Sequence, residues 1–266
     1  NSRSGSAWIK TTDNNANILA WGKNASKKKW VFRVQNTNGV SGAIRTEVNG
    51  GYRVGDTPVN DGLWHHVVFT LENDGSPNTN EINLYVDGEL GNGNTNVQNI
   101  NTQTSGSAID VHIGKGHGYH FNGEIDEVAV WNKALSADEI KALYNAGAGL
   151  AASSDSDNYT SSSNLQGYWN FDAGSGSVLY DHTGKMNHGT INGATWSDDV
   201  PITTPSSPRC TDPYAGNYDP DAIIDDGSCT DYPDNGDFSL MFDGDNDWVC
   251  LLYTSDAADE GLGVDL

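Results

Sequence analysis

The sequence predicts an all-β fold, an antiparallel sandwich or barrel closed by one short helix. Eight short segments with alternating apolar and polar residues lie between residues 6 and 131, separated by clusters of Asn, Gly and Asp. A single helical pattern follows them. Of the 36 Asp and Glu residues, 17 lie beyond residue 197, which indicates that this last part of the chain is organised differently.

The predicted strands are short and closely spaced, as in β-sandwiches. Asp87-Gly88 comes directly after one of them and predicts a tight hairpin, because both residues tolerate a positive φ. The predicted strands are residues 6–10, 17–21, 30–34, 43–48, 64–71, 82–86, 109–113 and 124–131.

A helix is predicted directly after the last of these strands. Ser136 and Glu139 have the spacing of a capping box, an apolar stripe follows at Ile140, Leu143 and Tyr144, and Gly147 is the predicted end. Residues 148–164 are rich in Ser, Asn and Asp and are interpreted as a linker. Further strands are predicted at 165–171 and 189–196, too few to form a sandwich of their own.

The charge balance restricts the classes of partner. The 266 residues include 36 Asp and Glu against 14 Lys and Arg, a net charge of −22. Such a surface repels nucleic acids and anionic membranes and favours a cation, a neutral glycan or a basic protein. No run of 18 apolar residues is present, so no membrane insertion is predicted. The first residues contain no export signal, which we expect to lie upstream or to have been removed.

Several motifs follow one another along the predicted strands. They are Trp-His-His-Val-Val at 64–68, Leu-Tyr-Val-Asp-Gly at 84–88, and Gly-Glu-Ile-Asp-Glu-Val at 123–128, which leads into Trp-Asn-Lys-Ala-Leu-Ser-Ala-Asp-Glu-Ile at 131–140. Together they resemble the laminin G-like, concanavalin A-like jelly-roll family of secreted bacterial proteins. The resemblance implies a jelly-roll sandwich, a secreted or cell-surface location, and a modular chain containing other repeats of the same kind.

The resemblance also implies the domain boundaries. A jelly roll without its opening strand would span 1–147, the linker 148–164, associated strands 165–200, an acidic cysteine-bounded repeat 201–236, and the opening strand of a further domain 237–249. The first sheet would then expose an edge or take a strand from elsewhere. Residues 165–171 and 238–242 are both candidates for that strand.

Catalysis is not expected. Related glycoside hydrolases place three acids on one strand face, and Glu124 and Asp126 match two of them, but the third position falls on Val128 or Ala129. Neither residue can act as acid or nucleophile in double-carboxylate hydrolysis. His65 and His66 are adjacent in a strand, so they point to opposite faces and cannot act as a pair.

Two kinds of ligand site are expected instead. Exposed aromatic residues of jelly rolls stack on sugars, and Tyr119 with His120 in a Gly-rich segment is the favoured candidate, although most large aromatics of a sandwich belong to its core. Asp126 is a weaker candidate for binding a cation near the closing strand.

The segment from Cys210 to Cys229 closely resembles a short cysteine-bounded repeat of bacterial surface proteins, which implies a disulfide between these two residues. Oxygen ligands at short spacings favour Ca²⁺, and the alternative is a solvated acidic loop. The calcium candidates here are Asp212, Asn217, Asp219, Asp221, Asp225 and Asp226, with Asp243 and Asp245 in a second loop that also fits an ordinary turn.

Residues 250–266 depart from the family pattern. They resemble the in-frame translation of a sequencing adapter, and the alternative is a genuine apolar strand ending. Removing them would also remove Cys250, the third cysteine, and leave an even number of thiols, as expected of an oxidising compartment.

The sequence therefore predicts a non-catalytic adhesion or carbohydrate-binding module of an extracellular protein, stabilised by calcium, with a glycan or an extracellular protein as ligand. Two alternatives remain open. One is an accessory module of a carbohydrate-active enzyme whose catalytic domain lies elsewhere, and the other is a structural spacer in a surface fibre.

Overall fold

The structure, a computed structural model, describes residues 1–102 and 109–201. Its strands are β1 (Arg3–Lys10), β2 (Asn17–Gly22), β3 (Lys29–Val34), β4 (Ala43–Val48), β5 (Gly51–Pro58), β6 (Trp64–Leu71), β7 (Asn83–Val86), β8 (Glu89–Leu90), β9 (Asn92–Asn96), β10 (Ile109–Ile113), β11 (Lys115–Gly116), β12 (Tyr119–His120), β13 (Glu124–Trp131), β14 (Leu165–Trp169), β15 (Val178–Leu179) and β16 (Gly189–Thr190). The helix α1 spans Ala137–Tyr144, and short 3₁₀ turns lie at Thr79–Glu81, Asn145–Gly147 and Ser162–Asn164.

Two six-stranded antiparallel sheets form the sandwich. Sheet A has the order β14-β13-β1-β6-β7-β8, and sheet B has the order β10-β2-β3-β4-β5-β9. The core between them is apolar and fully buried, with Ile9 and Phe69 from sheet A packed with Trp30, Phe32 and Ile44 from sheet B. The predicted all-β sandwich with one short helix is confirmed.

A second apolar cluster covers the far face of sheet A. Helix α1 contributes Ile140 and Leu143, which pack with Trp131 of β13 and with Tyr159. The predicted capping box is present, since the Ser136 Oγ accepts from the backbone N–H of Glu139 and the Glu139 carboxylate accepts from that of Ser136. The helix ends earlier than predicted, at Tyr144, because the next residue, Asn145, is a left-handed C-cap.

The segment interpreted as a linker, 148–164, is packed against the domain. Tyr159 is fully buried, and Ala152 and Ser161 are 4% and 0% exposed. This packing could not be predicted from the sequence, because one aromatic residue in a polar stretch has no periodicity.

The edge of sheet A next to β13 is occupied by β14. Val128 pairs with Trp169 and Val130 with Gly167 in antiparallel register. Of the two candidates for this strand, the segment at 165–171 therefore pairs with the closing strand, and 238–242 lies outside the described residues. Strand β1 lies inside the sheet, between β13 and β6.

Some strands differ from the prediction. The hairpin at Asp87-Gly88 is present, with φ of 52° and 81° at the two residues, but β5 and β9 were not predicted. Their sequences are rich in Gly and polar residues, and backbone pairing with β4 and with each other holds them. The strand predicted at 189–196 is limited to Gly189–Thr190.

Candidate functional site

The candidate site lies on the face of sheet B that points away from the core. Strand β3 places Trp30 and Phe32 in the core, so Val31 and Arg33 point to the opposite face. A row of directly opposed residues crosses this face, in which Asn17 pairs with Arg33, Arg33 with Arg45, and Arg45 with Val54. Residues opposed in this way have their side chains on one face.

Two tyrosines stack on the two arginines of this row. The Arg33 guanidinium lies 4.5 Å from the ring centroid of Tyr119, and that of Arg45 lies 4.0 Å from the ring centroid of Tyr52. We call Asn17, Arg33, Arg45, Tyr52 and Tyr119 the arginine–tyrosine face. Cation–π contacts of this kind hold planar groups in fixed orientations.

The hairpin β11–β12 carries Tyr119 to this face. The amide of Asn17 donates to the Tyr119 carbonyl at 3.1 Å, and Gly116 lies against Asn17 and Ala20, where a Cβ would come within 2.7 Å of the Ala20 side chain. Tyr119 is 43% exposed, as a sugar-stacking residue must be. His120 is also exposed and follows it in β12. A ligand role for Tyr119 and His120 stays a prediction.

Glu47 holds two of the cations on this face. Its carboxylate binds the Lys29 ammonium at 2.6 Å and the Arg45 guanidinium at 2.8 Å. Burial raises the pKa of Glu47, but these cations outweigh it and the net pKa is lowered. Burial lowers the pKa of Arg45, and the charge of Arg33 contributes in the same direction.

Three buried polar atoms on or beside the arginine–tyrosine face have no hydrogen-bond partner among the described residues. They are Asn17 Oδ1, Arg45 Nε and His117 Nε2. Burial, followed by the charge of Lys29, lowers the pKa of His117, which places this ring beside the same cations. Buried polar groups are normally paired, so these three atoms leave hydrogen-bonding capacity unused beneath the face. Four further atoms of this kind lie on Trp30, Thr46, Arg53 and His66.

A groove lies next to Val54, the last residue of this row. The loop at Asn38, Gly39 and Val40 lies over Val54, because a Cβ on Gly39 would come within 2.8 Å of the Val54 side chain. With Gly55, Gly93 and Asn94 this loop lines an open groove with a volume of about 340 Å³.

A separate acidic cluster lies on sheet A, where β13 bulges at Glu127. Glu127 has a φ of 50° and accepts from the Tyr168 hydroxyl at 2.5 Å. Burial raises the pKa of Asp126 to about 6 and that of Glu127 to about 7, and the nearby charge of Asp172 acts in the same direction. Asp172 also lines a cavity of about 200 Å³ with Phe171, Tyr180, His182 and Trp196.

The catalytic arrangement considered for β13 is incomplete. Glu124 forms an ion pair with Lys10 at 3.7 Å, and Asp126 lies opposite Trp8. Because the bulge falls at Glu127, the third acid would stand at Ala129, which is fully buried in the cluster beneath α1. His65 and His66 point apart, with His66 3% exposed against Trp8 and His65 bound to Asp87 at 2.7 Å.

Of the predicted calcium ligands, Asp126 alone lies within the described residues. Residues 1–102 and 109–201 contain no group of three His, Cys, Asp or Glu side chains placed to hold a metal ion, and Asp126 accepts its hydrogen bond from the Glu127 backbone N–H. The other predicted residues lie outside the described residues. They are Asp212, Asn217, Asp219, Asp221, Asp225, Asp226, Asp243 and Asp245, together with Cys210, Cys229 and the tail at 250–266.

Residues 1–141, just over half of the chain, match the family model described as the concanavalin A-like lectin/glucanases superfamily. The chain belongs to this superfamily. Its description covers both lectins and glucanases, so membership of the superfamily shows the fold. Whether the chain binds or hydrolyses a carbohydrate has to be argued from the residues of its site.

Two further comparisons show what the chain is similar to. It is 32% identical over 104 residues to mouse Sushi, von Willebrand factor type A, EGF and pentraxin domain-containing protein 1, and 31% identical to the rat protein. These matches cover 36% of the chain and only 3% of either relative. A proposed carbohydrate-binding protein from Bacteroides ovatus has a TM-score of 0.52 at 21% identity, over 76% of this chain and 55% of that one.

The arginines are the residues that sequence reasoning missed. Arg33 and Arg45 each stand at an alternate position of a predicted strand, which predicts that both side chains point away from the core. The pattern does not predict that β3 and β4 place them directly opposite each other. The available signal was a single Arg at an outward position in each of two consecutive predicted strands.

Among the described residues no helix has the length and apolarity needed to cross a membrane.

Proposed function

We propose that this chain is a non-catalytic carbohydrate-binding module that binds its sugar on the arginine–tyrosine face. The observation that carries the proposal is the half-exposed Tyr119 ring stacked on the Arg33 guanidinium. An aromatic ring contacts the apolar face of a sugar, and fixed polar groups bind its hydroxyls. Membership of a superfamily that includes lectins supports the same proposal.

Glycan-array binding by the purified chain tests this function. We expect a defined set of glycans to bind the wild-type chain and Tyr119→Ala to lose them, because the variant removes the exposed ring. Tyr180→Ala is a matched control, since Tyr180 is 50% exposed but lies at the cavity beside Asp172. Loss of binding in Tyr180→Ala or Trp196→Ala, with Tyr119→Ala unaffected, would move the site to that cavity.

Hydrolysis is the rival function within the same superfamily. We expect no release of reducing sugar from the glycans that bind, because Ala129 stands where a third carboxylate would be needed. Sugar release by the wild-type chain that Asp126→Asn abolishes would overturn the non-catalytic assignment. An accessory role beside a catalytic domain in a longer protein is compatible with the same module.

We further propose an extracellular location and calcium binding in the acidic segment that begins at Cys210. Five Asp residues and no Lys or Arg lie between Cys210 and Cys229, so their mutual repulsion favours a bound divalent cation. Calorimetric titration of the chelator-treated chain with Ca²⁺ tests this, with Asp225→Asn/Asp226→Asn as the variant. If Ca²⁺ neither binds nor raises the melting temperature, the segment is a solvated loop.

A further inference from the structure

We infer that the sugar bound on the arginine–tyrosine face is acidic, carrying a carboxylate or a sulfate that lies against Arg33 and Arg45. This inference rests on the proposed function and specifies its ligand class. It starts from the distribution of charge. Residues 17–58 carry seven Lys and Arg against two acids, a net charge of +5, in a chain whose net charge is −22.

The cation pair at the centre of this region is the main evidence. Arg33 and Arg45 are directly opposed in neighbouring strands. Like charges at such positions destabilise a sheet, because the two side chains start about 5 Å apart. A sequence that keeps two arginines there retains an unfavourable contact, and an anion between or beside them would remove it.

The neighbouring acid does not neutralise this pair. Glu47 is bound by both Lys29 and Arg45. Together with Arg33, these residues have three positive charges and one negative charge, a net charge of +2. Arg33 has no carboxylate partner among the described residues. Arg33 is only 8% exposed, and a buried charge without a counter-ion is costly.

Hydrogen-bonding capacity is also left over at the same place. The Arg33 guanidinium donates to the Val34 carbonyl at 3.3 Å and to the Asn15 side chain, so neither of these contacts involves a carboxylate. The Nε of Arg45 is buried and has no acceptor among residues 1–102 and 109–201. Guanidinium groups bind planar carboxylates and sulfates through paired hydrogen bonds, which gives specificity as well as attraction.

The surroundings favour an anionic group that is attached to a sugar over a free anion. Tyr52 and Tyr119 flank the arginines with ring faces that a small inorganic ion would not use. The groove lined by Gly39, Gly55 and Gly93 lies next to Val54, the residue opposed to Arg45, and its volume of about 340 Å³ has room for a neighbouring ring. We therefore expect an oligosaccharide with at least one acidic residue.

Calorimetric titration of the full chain with three oligosaccharides of matched length tests the inference. One is neutral, one contains uronic acids and one is sulfated. We expect at least one acidic oligosaccharide to bind about 10- to 100-fold more tightly than the neutral one, as hydrogen bonds between charged groups require. We also expect its affinity to fall as sodium chloride is raised. The acidic arm that binds more tightly identifies the anionic group.

Arg33→Met is the informative variant, because it removes one cation of the opposed pair and keeps an apolar stem under Tyr119. We expect it to lose the preference for acidic oligosaccharides, with a melting temperature at least equal to that of the wild type. Arg53→Met is the matched control, since Arg53 is a cation of the same sheet whose guanidinium donates to Asn80. Should Arg33→Met fail to fold, Arg33→Lys, which keeps the charge but not the paired donors, serves instead, with a weakened preference expected.

The outcomes separate this inference from the proposed function. Equal binding of neutral and acidic oligosaccharides, or an unchanged preference in the folded Arg33 variant, would overturn the acidic ligand and leave carbohydrate binding in place. If neither kind of oligosaccharide binds and the glycan array is blank, the proposed function itself is wrong.

Discussion

The indole N–H of Trp131 donates to the hydroxyl of Tyr159 at 2.9 Å, and both side chains are buried. The same hydroxyl donates to the Ala152 carbonyl at 2.7 Å. A residue from the segment interpreted as a linker therefore completes the hydrogen bonding of the closing strand β13, and the segment is part of the folded domain.

Tyr159→Phe is expected to lower the free energy of unfolding by about 1–3 kcal/mol, because it leaves the buried Trp131 N–H and Ala152 carbonyl without partners. Urea denaturation measures the change, with Tyr180→Phe as the control because Tyr180 is 50% exposed. Equal stability of the two variants would show that 148–164 is not a structural part of the domain.

Glu127 is expected to make the domain less stable as the pH rises. Burial raises its pKa to about 7, above the value of 4.5 for an unperturbed Glu, so the folded state holds this proton more tightly. Its contribution is complete below about pH 4.5 and is lost as the pH rises through 7. The stability of Glu127→Gln relative to the wild type should therefore increase by about 2–3 kcal/mol across that range.

Denaturant titrations of the wild type and Glu127→Gln at a series of pH values measure this difference. Glu89→Gln is the control, because the Glu89 side chain is 80% exposed. A difference for Glu127→Gln that stays constant from pH 4.5 to 7 contradicts the raised pKa.

The contribution of Glu139 to stability is expected to have the opposite pH dependence, decreasing as the pH falls. Burial raises its pKa, but hydrogen bonds from the Ser136 backbone and the Ser161 hydroxyl, with the Lys133 ammonium at 3.0 Å, outweigh this and lower it to about 2. Its contribution is present above about pH 4.5 and is lost as the pH falls towards 2. Glu139→Gln should be less stable than the wild type by about 2–3 kcal/mol at neutral pH, with the gap closing in acid.

Thermal and denaturant unfolding of Glu139→Gln from neutral pH to about pH 2 checks this dependence. Asp138→Asn is a close control, since Asp138 is exposed in the same first turn of α1. A gap that persists in acid would show that the loss comes from packing and not from the charge of Glu139.

Gly5 is expected to tolerate no larger residue. It lies in β1 at the centre of sheet A, and a Cβ there would come within 2.5 Å of the Phe69 ring. Gly5→Ala should therefore lower the free energy of unfolding by about 1–3 kcal/mol through overpacking. Gly189→Ala, whose Cβ would have no contact below 3.5 Å, should change it little, and a similar effect of both substitutions would contradict the tight contact.

Local sequence patterns were sufficient to predict much of sheet A and the helix. The alternation in β1, β6 and β13, the hairpin at Asp87-Gly88 and the Ser136–Glu139 capping box each depend on residues within one short segment. Strands β5 and β9 lack such a pattern, because their residues are mostly Gly or polar and the backbone of neighbouring strands holds them in place.

The candidate site was also predictable only in part. The sequence alone predicted the all-β fold, the superfamily and an exposed aromatic at Tyr119, since each follows from alternation, motif order or composition. Only the tertiary structure decided that Arg33 and Arg45 stand opposite each other beneath Tyr119 and Tyr52. The physical reason is that strand register sets these contacts, and register is a property of paired strands whose residues are far apart in the chain.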